Sequence, residues 1–168
     1  PHRVSSLIWW LPTPRTRWAP DYPWGQTDEE ERSWLGEIER GWGTEAFVSA
    51  ELSRSAPSLR GDAGFIRWLA RMQRHWVTPG SAMELARIYQ QTDVRHVLPS
   101  ITAPTLILDR AGCEPQQGKY TESLIRDAQH VTLPGDDEPP YAGDQDPVVS
   151  AIADFLRIQR PVPEVNRV

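Results

Sequence analysis

The side chains best suited to chemistry fall in two short stretches of this 168-residue chain. One is Asp109-Arg110-Ala111-Gly112-Cys113, which holds the single cysteine. The other is Pro134-Gly135-Asp136-Asp137-Glu138, an acidic run followed by Asp144 and Asp146. A thiol can act as a nucleophile when a histidine activates it, but no histidine lies near Cys113 in sequence. Grouped carboxylates invite a cation. This run lacks the ligand order and central glycine of an EF-hand loop, so it reads as a solvated acidic loop. His130 precedes the acidic run and is expected to point into the sheet or a helix as a structural histidine. His75 and His96 read as partly exposed helical residues.

The elements that position these stretches follow from hydrophobic pattern. Leu106, Ile107 and Leu108 form a short continuous apolar run after Pro104, the signature of a strand buried on both faces of a parallel sheet. A short helical signal precedes it at residues 93–98. A polar loop, a helix at 119–127 and a second apolar strand at 130–133 follow. Helix, strand, loop, helix, strand is the grammar of a βαβ unit. In open α/β sheets the chemistry sits in loops at the carboxyl ends of strands, where Cys113 and Glu138 both fall. A further strand is expected at residues 4–11, ended by Pro12 and Pro14. The last helix is expected at 148–158, with Val149, Ile152, Phe155 and Leu156 on its buried stripe and Pro147 in its first turn.

Between the first strand and Leu106 the chain reads as purely helical. Thr27 caps a helix through a Thr-x-x-Glu box with Glu30, and Asp28 and Glu29 suit its positive first turn. Trp34, Ile38 and Trp42 share one face of it. Further helices are expected at 44–52, after residue 62 (stripe Phe65, Leu69, Met72, Trp76), and after Pro79-Gly80 with Ser81 as cap. All eight tryptophans fall at or before Trp76. Such an insert reads as a helical cap over a sheet, and the loop tryptophans Trp18 and Trp24 would line an apolar pocket between the two.

Composition narrows the partners. Net charge is −5, which argues against nucleic acid or an anionic membrane. One cysteine allows neither an internal disulfide nor zinc-cluster spacing. No apolar run reaches the length of a membrane span, and no leader pattern is present, so a cytoplasmic protein is expected. No metal or cofactor is expected. The chain opens at Pro1 and is already apolar at Leu7-Ile8-Trp9-Trp10, so earlier strands are expected upstream.

The run DVRHVLPSITAPTLILDRAG, then GKYTESLIRDAQHVTLPGDD, then an amphipathic helix, resembles the C-terminal half of an α/β-hydrolase domain. The resemblance extends through RWAPDYPWG and the cap, from about Pro1 to Leu156. It is most like the hydrolase-like domains that precede class III adenylate or guanylate cyclase domains in actinobacteria, and the tail RPVPEVNRV looks like the connector to such a cyclase. The resemblance implies an α/β fold with about three parallel strands of the hydrolase sheet. Residues 1–15 would be a core strand, 16–92 the cap insertion, 93–158 the remaining core, and 159–168 a linker. The missing N-terminal half of the domain would be one partner, a downstream cyclase another, and a small apolar ligand a third.

The family's catalytic triad does not carry over. Its nucleophile sits in a G-x-S-x-G elbow, and this sequence has none: Ser5 and Ser6 lie in a strand, and Ser81 opens a cap helix. The family's acid follows a pattern like R-x-G-D, where this chain has Cys113. Its histidine follows a pattern like P-G-D-D-H, where this chain has Glu138. A histidine shuttles protons near neutrality because its pKa lies near 6.5. A glutamate near 4.3 is a far poorer base unless burial raises it, and a neutral thiol cannot stabilise a cationic base. Two lost positions point to a scaffold relieved of catalysis, in a regulatory or ligand-binding role. The alternative is part of an active serine esterase whose nucleophile lies upstream, with Asp109 as substitute acid.

Overall fold

A computed structural model describes residues 3–159, with the side chain of Gln159 excepted. The expected linker at its far end lies outside the described residues. Three parallel strands form one sheet in the order β1 (Leu7–Trp10), β2 (Thr105–Arg110), β3 (Gln129–Leu133). Every residue of β2 is buried, as its continuous apolar run requires of a central strand. Alternate β2 residues face opposite ways. Leu106 and Leu108 pack with Leu133 and with Val148 and Phe155 of α6 (Asp146–Gln159), joined by Ile8 and Trp10 of β1. Asp109 faces the other side, toward α5 (Gln116–Leu124).

Four helices make a second layer between β1 and β2: α1 (Asp28–Gly41), α2 (Glu45–Ser55), α3 (Ala63–Trp76) and α4 (Pro79–Gln90). Their starts are set locally. The Thr27 hydroxyl accepts from the Glu30 amide at 3.3 Å, and the Glu30 carboxylate accepts from the Thr27 amide at 2.8 Å, which completes the capping box. Thr44, Asp62 and Thr78 cap the other three. Their common core is Ile38, Phe47, Val48, Leu52, Ala56, Ile66, Ala70, Ala82 and Ala86, with Ala142 inserted from the loop after β3.

Several sequence expectations shift. The first strand is shorter than residues 4–11, because Val4 is exposed and Leu11 turns out of the strand with φ 41°. Ser81 does not cap α4. Thr78 does, accepting from the Ser81 amide, because Pro79 is preorganised for the first helical position. On α3 the buried face is Ile66, Ala70 and Gln73, while Met72 and Trp76 are exposed. The polar Gln73 holds a core position because its carbonyl accepts from the Gly43 amide at 3.2 Å and its amide donates to Glu51 at 3.3 Å. On α6 the buried residues are Val148 and, as expected, Phe155, while Val149 and Leu156 face out. The signal at 93–98 is a turn closed by a short 3-10 segment (Leu98–Ser100), so His96 lies in a turn rather than on a helix. Helix α5 starts and ends three residues before its expected span, with Asp127 in the left-handed region beyond it.

The helical layer leaves and rejoins the sheet through two strands of loop clipped together. Arg15 and Asp93 form an antiparallel bridge, the Thr16 amide donates to the Thr92 carbonyl, and the Val94 amide donates to the Pro14 carbonyl. Asp93 accepts from Arg95 at 2.9 Å and from Arg15 at 2.6 Å, and Arg95 also reaches Asp21 at 2.8 Å. Hydrogen bonds from Arg95 foremost hold the Asp93 carboxyl far below the usual carboxylate range. A lowered native pKa stabilises the fold at neutral pH, and that contribution fades as the pH falls below the unfolded value toward the native one. The Asp93 side chain is a third open to water, so Asp93→Asn is expected to cost only about 1 kcal/mol at pH 7. In urea melts at pH 7, 5 and 3 the gap between wild type and variant should hold from pH 7 to 5 and begin to narrow below about pH 4.

Candidate functional site

Above the carboxyl ends of β1 and β2 a cleft of about 700 Å³ opens between the sheet and the helical layer. Three loops build it. The first follows β1 and supplies Trp10 and Leu11, the second follows β2 and supplies Cys113 and Glu114, and the third follows β3 and supplies Glu138. Asp109 forms part of the floor and Trp24 part of the wall. Cys113 and Glu138 thus share one cavity although 24 residues separate them in sequence (138 minus 113, less one).

The loop after β2 turns sharply, with the Cys113 amide donating to the Arg110 carbonyl at 2.9 Å. It stays against the neighbouring loop through two more bonds: Ala111 amide to Leu133 carbonyl at 2.9 Å and Gly112 amide to Gly135 carbonyl at 3.1 Å. Arg110, 1% exposed, secures the third loop from below. Its guanidinium donates to the carbonyls of Pro134 (2.7 Å), Ala142 (3.1 Å) and Asp144 (3.0 Å). It also lies over the Trp10 ring at 5.4 Å.

Glu138 is pinned at its backbone from both layers. Its carbonyl accepts from the Trp10 indole at 2.6 Å, and its amide donates to the Ser55 carbonyl of α2 at 2.7 Å. The residue lines the cleft and is exposed to solvent. Burial, and next Glu114 nearby, still raise its pKa. The acidic loop as a whole is not simply solvated. Asp137 is buried and accepts from the Ser58 amide at 3.0 Å, and Asp144 accepts from the Asp146 amide at 3.1 Å at the start of α6. Among the described residues no group of three or more metal-ligating side chains is gathered.

His130 lies under α5, away from the cleft lining. Its Nε2 is 2.6 Å from Asp109 Oδ2, and its Nδ1 is 3.8 Å from Glu122. A carboxylate thus stands beside each ring nitrogen. Gly118 permits this pair, because a Cβ there would collide with both the Asp109 carboxylate and the His130 ring. His75 is exposed on α3 with its Nδ1 2.8 Å from the Arg71 carbonyl. No histidine among the described residues lines the cleft.

The two loop tryptophans separate. Trp24 lines the cleft, packed against Tyr22 and Tyr120 at 5.3 and 5.5 Å between ring centroids. Trp18 does not line it and is half exposed. The 16–26 loop folds back on itself, with the Trp18 amide donating to the Gln26 carbonyl and Ala19 pairing with Tyr22, so successive aromatics face different ways. Sequence reasoning missed Tyr22, which is fully buried and donates its hydroxyl to Gln117 at 2.7 Å. Its place between Pro20 and Pro23 was the available signal, since prolines fix the turn that buries it. The wall is less apolar than the tryptophan content suggested, because Asp109, Glu114 and Glu138 all line it.

Among the described residues lining the cleft, Cys113 is the one thiol, and no histidine stands beside it. Burial foremost, then the charge of Glu138, push the Cys113 thiol up to about 11, against a smaller opposing effect of Arg110. A thiol in that state is protonated and inert at neutral pH. Alkylation of Cys113 by iodoacetamide at pH 8 should run about 100-fold slower than for an unstructured cysteine peptide, since the thiolate fraction scales with pKa. The rate should keep climbing beyond pH 10. Fast labelling that levels off near pH 8 in folded protein would show that the thiol is not suppressed.

No family model matches the chain, and no curated protein matches it. Solved structures do. An esterase from Exiguobacterium antarcticum superposes with a TM-score of 0.78 at 14% identity, over 92% of this chain and 57% of that one. A bromoperoxidase from Bacillus anthracis gives 0.74 at 19%, over 92% and 59%. An enol-lactonase from Burkholderia xenovorans LB400 gives 0.66 at 17%, over 92% and 57%. The chain therefore spans under two thirds of the length of each. Identities this low carry the fold and nothing finer: three parallel strands with their helices place this chain in the architecture of the C-terminal part of an α/β-hydrolase.

Proposed function

We propose that this chain is the C-terminal part of an α/β-hydrolase-like domain that has lost its catalytic triad and serves as a ligand-binding, regulatory module. Residues 1–15 and 93–158 act as its core, 16–92 as its cap and 159–168 as a linker, with the N-terminal half of the domain preceding it. The linker would lead to a nucleotide cyclase whose activity the module regulates, and the protein would work in the cytoplasm. The observation behind this reading is the meeting of Cys113 and Glu138 in one cleft that no described histidine lines. Histidine and carboxylate are the pair that a serine hydrolase needs in order to move a proton. A suppressed thiol and a solvent-reachable glutamate do not replace them.

Asp109 as a substitute acid fits poorly. Its Oδ2 is already engaged by His130, whose other nitrogen faces Glu122 under α5. That pair reads as a structural brace, and removing one partner would leave a buried charge uncompensated.

The test is turnover by the full-length protein carrying this chain, with p-nitrophenyl acetate and butyrate as substrates. Wild type is expected at the background rate. The double change Cys113→Asp with Glu138→His is expected to raise hydrolysis at least ~100-fold if an elbow serine is present, in line with general-base contributions. Wild-type hydrolysis that disappears on replacing an upstream serine would overturn the proposal in favour of an active esterase.

A further inference from the structure

Helix α3 carries three distinct rows of side chains. Its buried row is Ile66, Ala70 and Gln73. One position further on, the same spacing gives Arg67, Arg71 and Arg74. Two positions on, it gives Trp68, Met72 and His75, with Trp76 following in the last turn. Every residue of the second and third rows is exposed, and so is Trp76, with Trp68 at 49% and Trp76 at 68%. Apolar residues gathered in this way form a patch rather than a scatter. The patch continues beyond the helix: Trp68 meets Phe65 at 5.3 Å between ring centroids, Phe65 meets Tyr141 at 6.1 Å, and Tyr141 is exposed. Charge is segregated here as well. The helix holds three arginines and no aspartate or glutamate, so the rest of the chain stands at −8 (15 minus 23). None of the three arginines forms an ion pair among the described residues. Of the two shallow hollows that flank this ridge, one holds a single carboxylate, Glu45, and the other holds none.

From these observations we infer that the exposed ridge of α3 docks the protein on an anionic lipid surface, with the arginines against headgroup phosphates and Trp68, Met72 and Trp76 in the interfacial layer. The net charge of the chain argues the other way, but a charged surface is felt only within a Debye length of about 8–10 Å, so the charge of the docking face decides. Guanidinium groups suit phosphate oxygens. Tryptophan suits the headgroup layer, since its ring is apolar with one polar edge. No described helix is long and apolar enough to cross a bilayer, so the contact is with the surface. A folded protein partner fits less well. The ridge of a 14-residue helix, about 21 Å by about 10 Å, offers roughly a quarter of the ~800 Å² that each side of a standard interface buries. A bilayer interface needs no matching shape. The inference stands apart from whatever the cleft binds.

The test is co-sedimentation of the full-length protein carrying this chain with vesicles of phosphatidylcholine, alone or mixed with phosphatidylserine. Binding to the mixed vesicles is expected to be at least about tenfold tighter and to weaken as salt rises. Arg67→Ala with Arg71→Ala should lower it about 25-fold, at about fivefold for each arginine near an anionic surface. Arg74 is left in place because it donates to the Gly43 carbonyl. Trp76→Ala should weaken binding several-fold. The three substituted positions are exposed, so wild-type melts are expected for both variants. Absence of vesicle binding, equal binding to the two vesicle types, or undiminished binding by the folded arginine pair variant would overturn the assignment. Self-association without vesicles that the same pair of substitutions abolishes would give the ridge to a second copy of the chain and overturn it as well.

Discussion

A buried guanidinium at the end of the central strand organises this end of the molecule. Arg110 is enclosed by protein, and its two terminal nitrogens donate to three backbone carbonyls of the loop after β3, while its Nε has no hydrogen-bond partner. An unpaired charge in such a place would be costly, so the loop must wrap around it. Gly135, with φ 113°, gives the loop room, since a side chain there would press on the guanidinium. The same cation sits against the Trp10 ring, and the Trp10 indole in turn holds the Glu138 carbonyl. Strand ends, loop path and the placement of Glu138 follow from one side chain.

Much of this fold was legible because the signals were local and redundant. The apolar run at Leu106–Leu108, the Thr27 capping box and the βαβ order each rest on neighbouring residues, and each stands in the structure. The faces of α3 and α6 were not so legible. Gln73 occupies a core position that an apolar pattern would never assign, and its placement depends on a backbone amide in a different loop, at Gly43. Trp76 satisfied the spacing of a buried stripe and yet lies outside, because small residues such as Ala70 let helices approach where bulky ones do not. The brace between Asp109 and His130 was equally invisible, since it joins two strands across 21 positions and needs the bare backbone of Gly118 to fit.

On the function proposed above, the cleft would have its proton-handling groups exchanged rather than deleted. The loops after β2 and β3, which bear Cys113 and Glu138, both reach the same cavity. A thiol whose pKa burial raises and a carboxylate are not a pair that passes a proton in relay as histidine and carboxylate do. The histidine that remains nearby lies beneath a helix, engaged in holding two strands in register. Fold-level likeness to esterases says little about what the cleft does.

The loop bearing Glu138 is stitched into the helical layer at four points: Glu138 to Ser55, Asp137 to Ser58, Gly143 to Ser58, and Ala142 within the helical core. The roof of the cavity and one of its walls are therefore a single mechanical piece, hung from the sheet by the clipped stems at Arg15 and Asp93 and by Arg110. Anything that tilts the helices must drag this wall along with them.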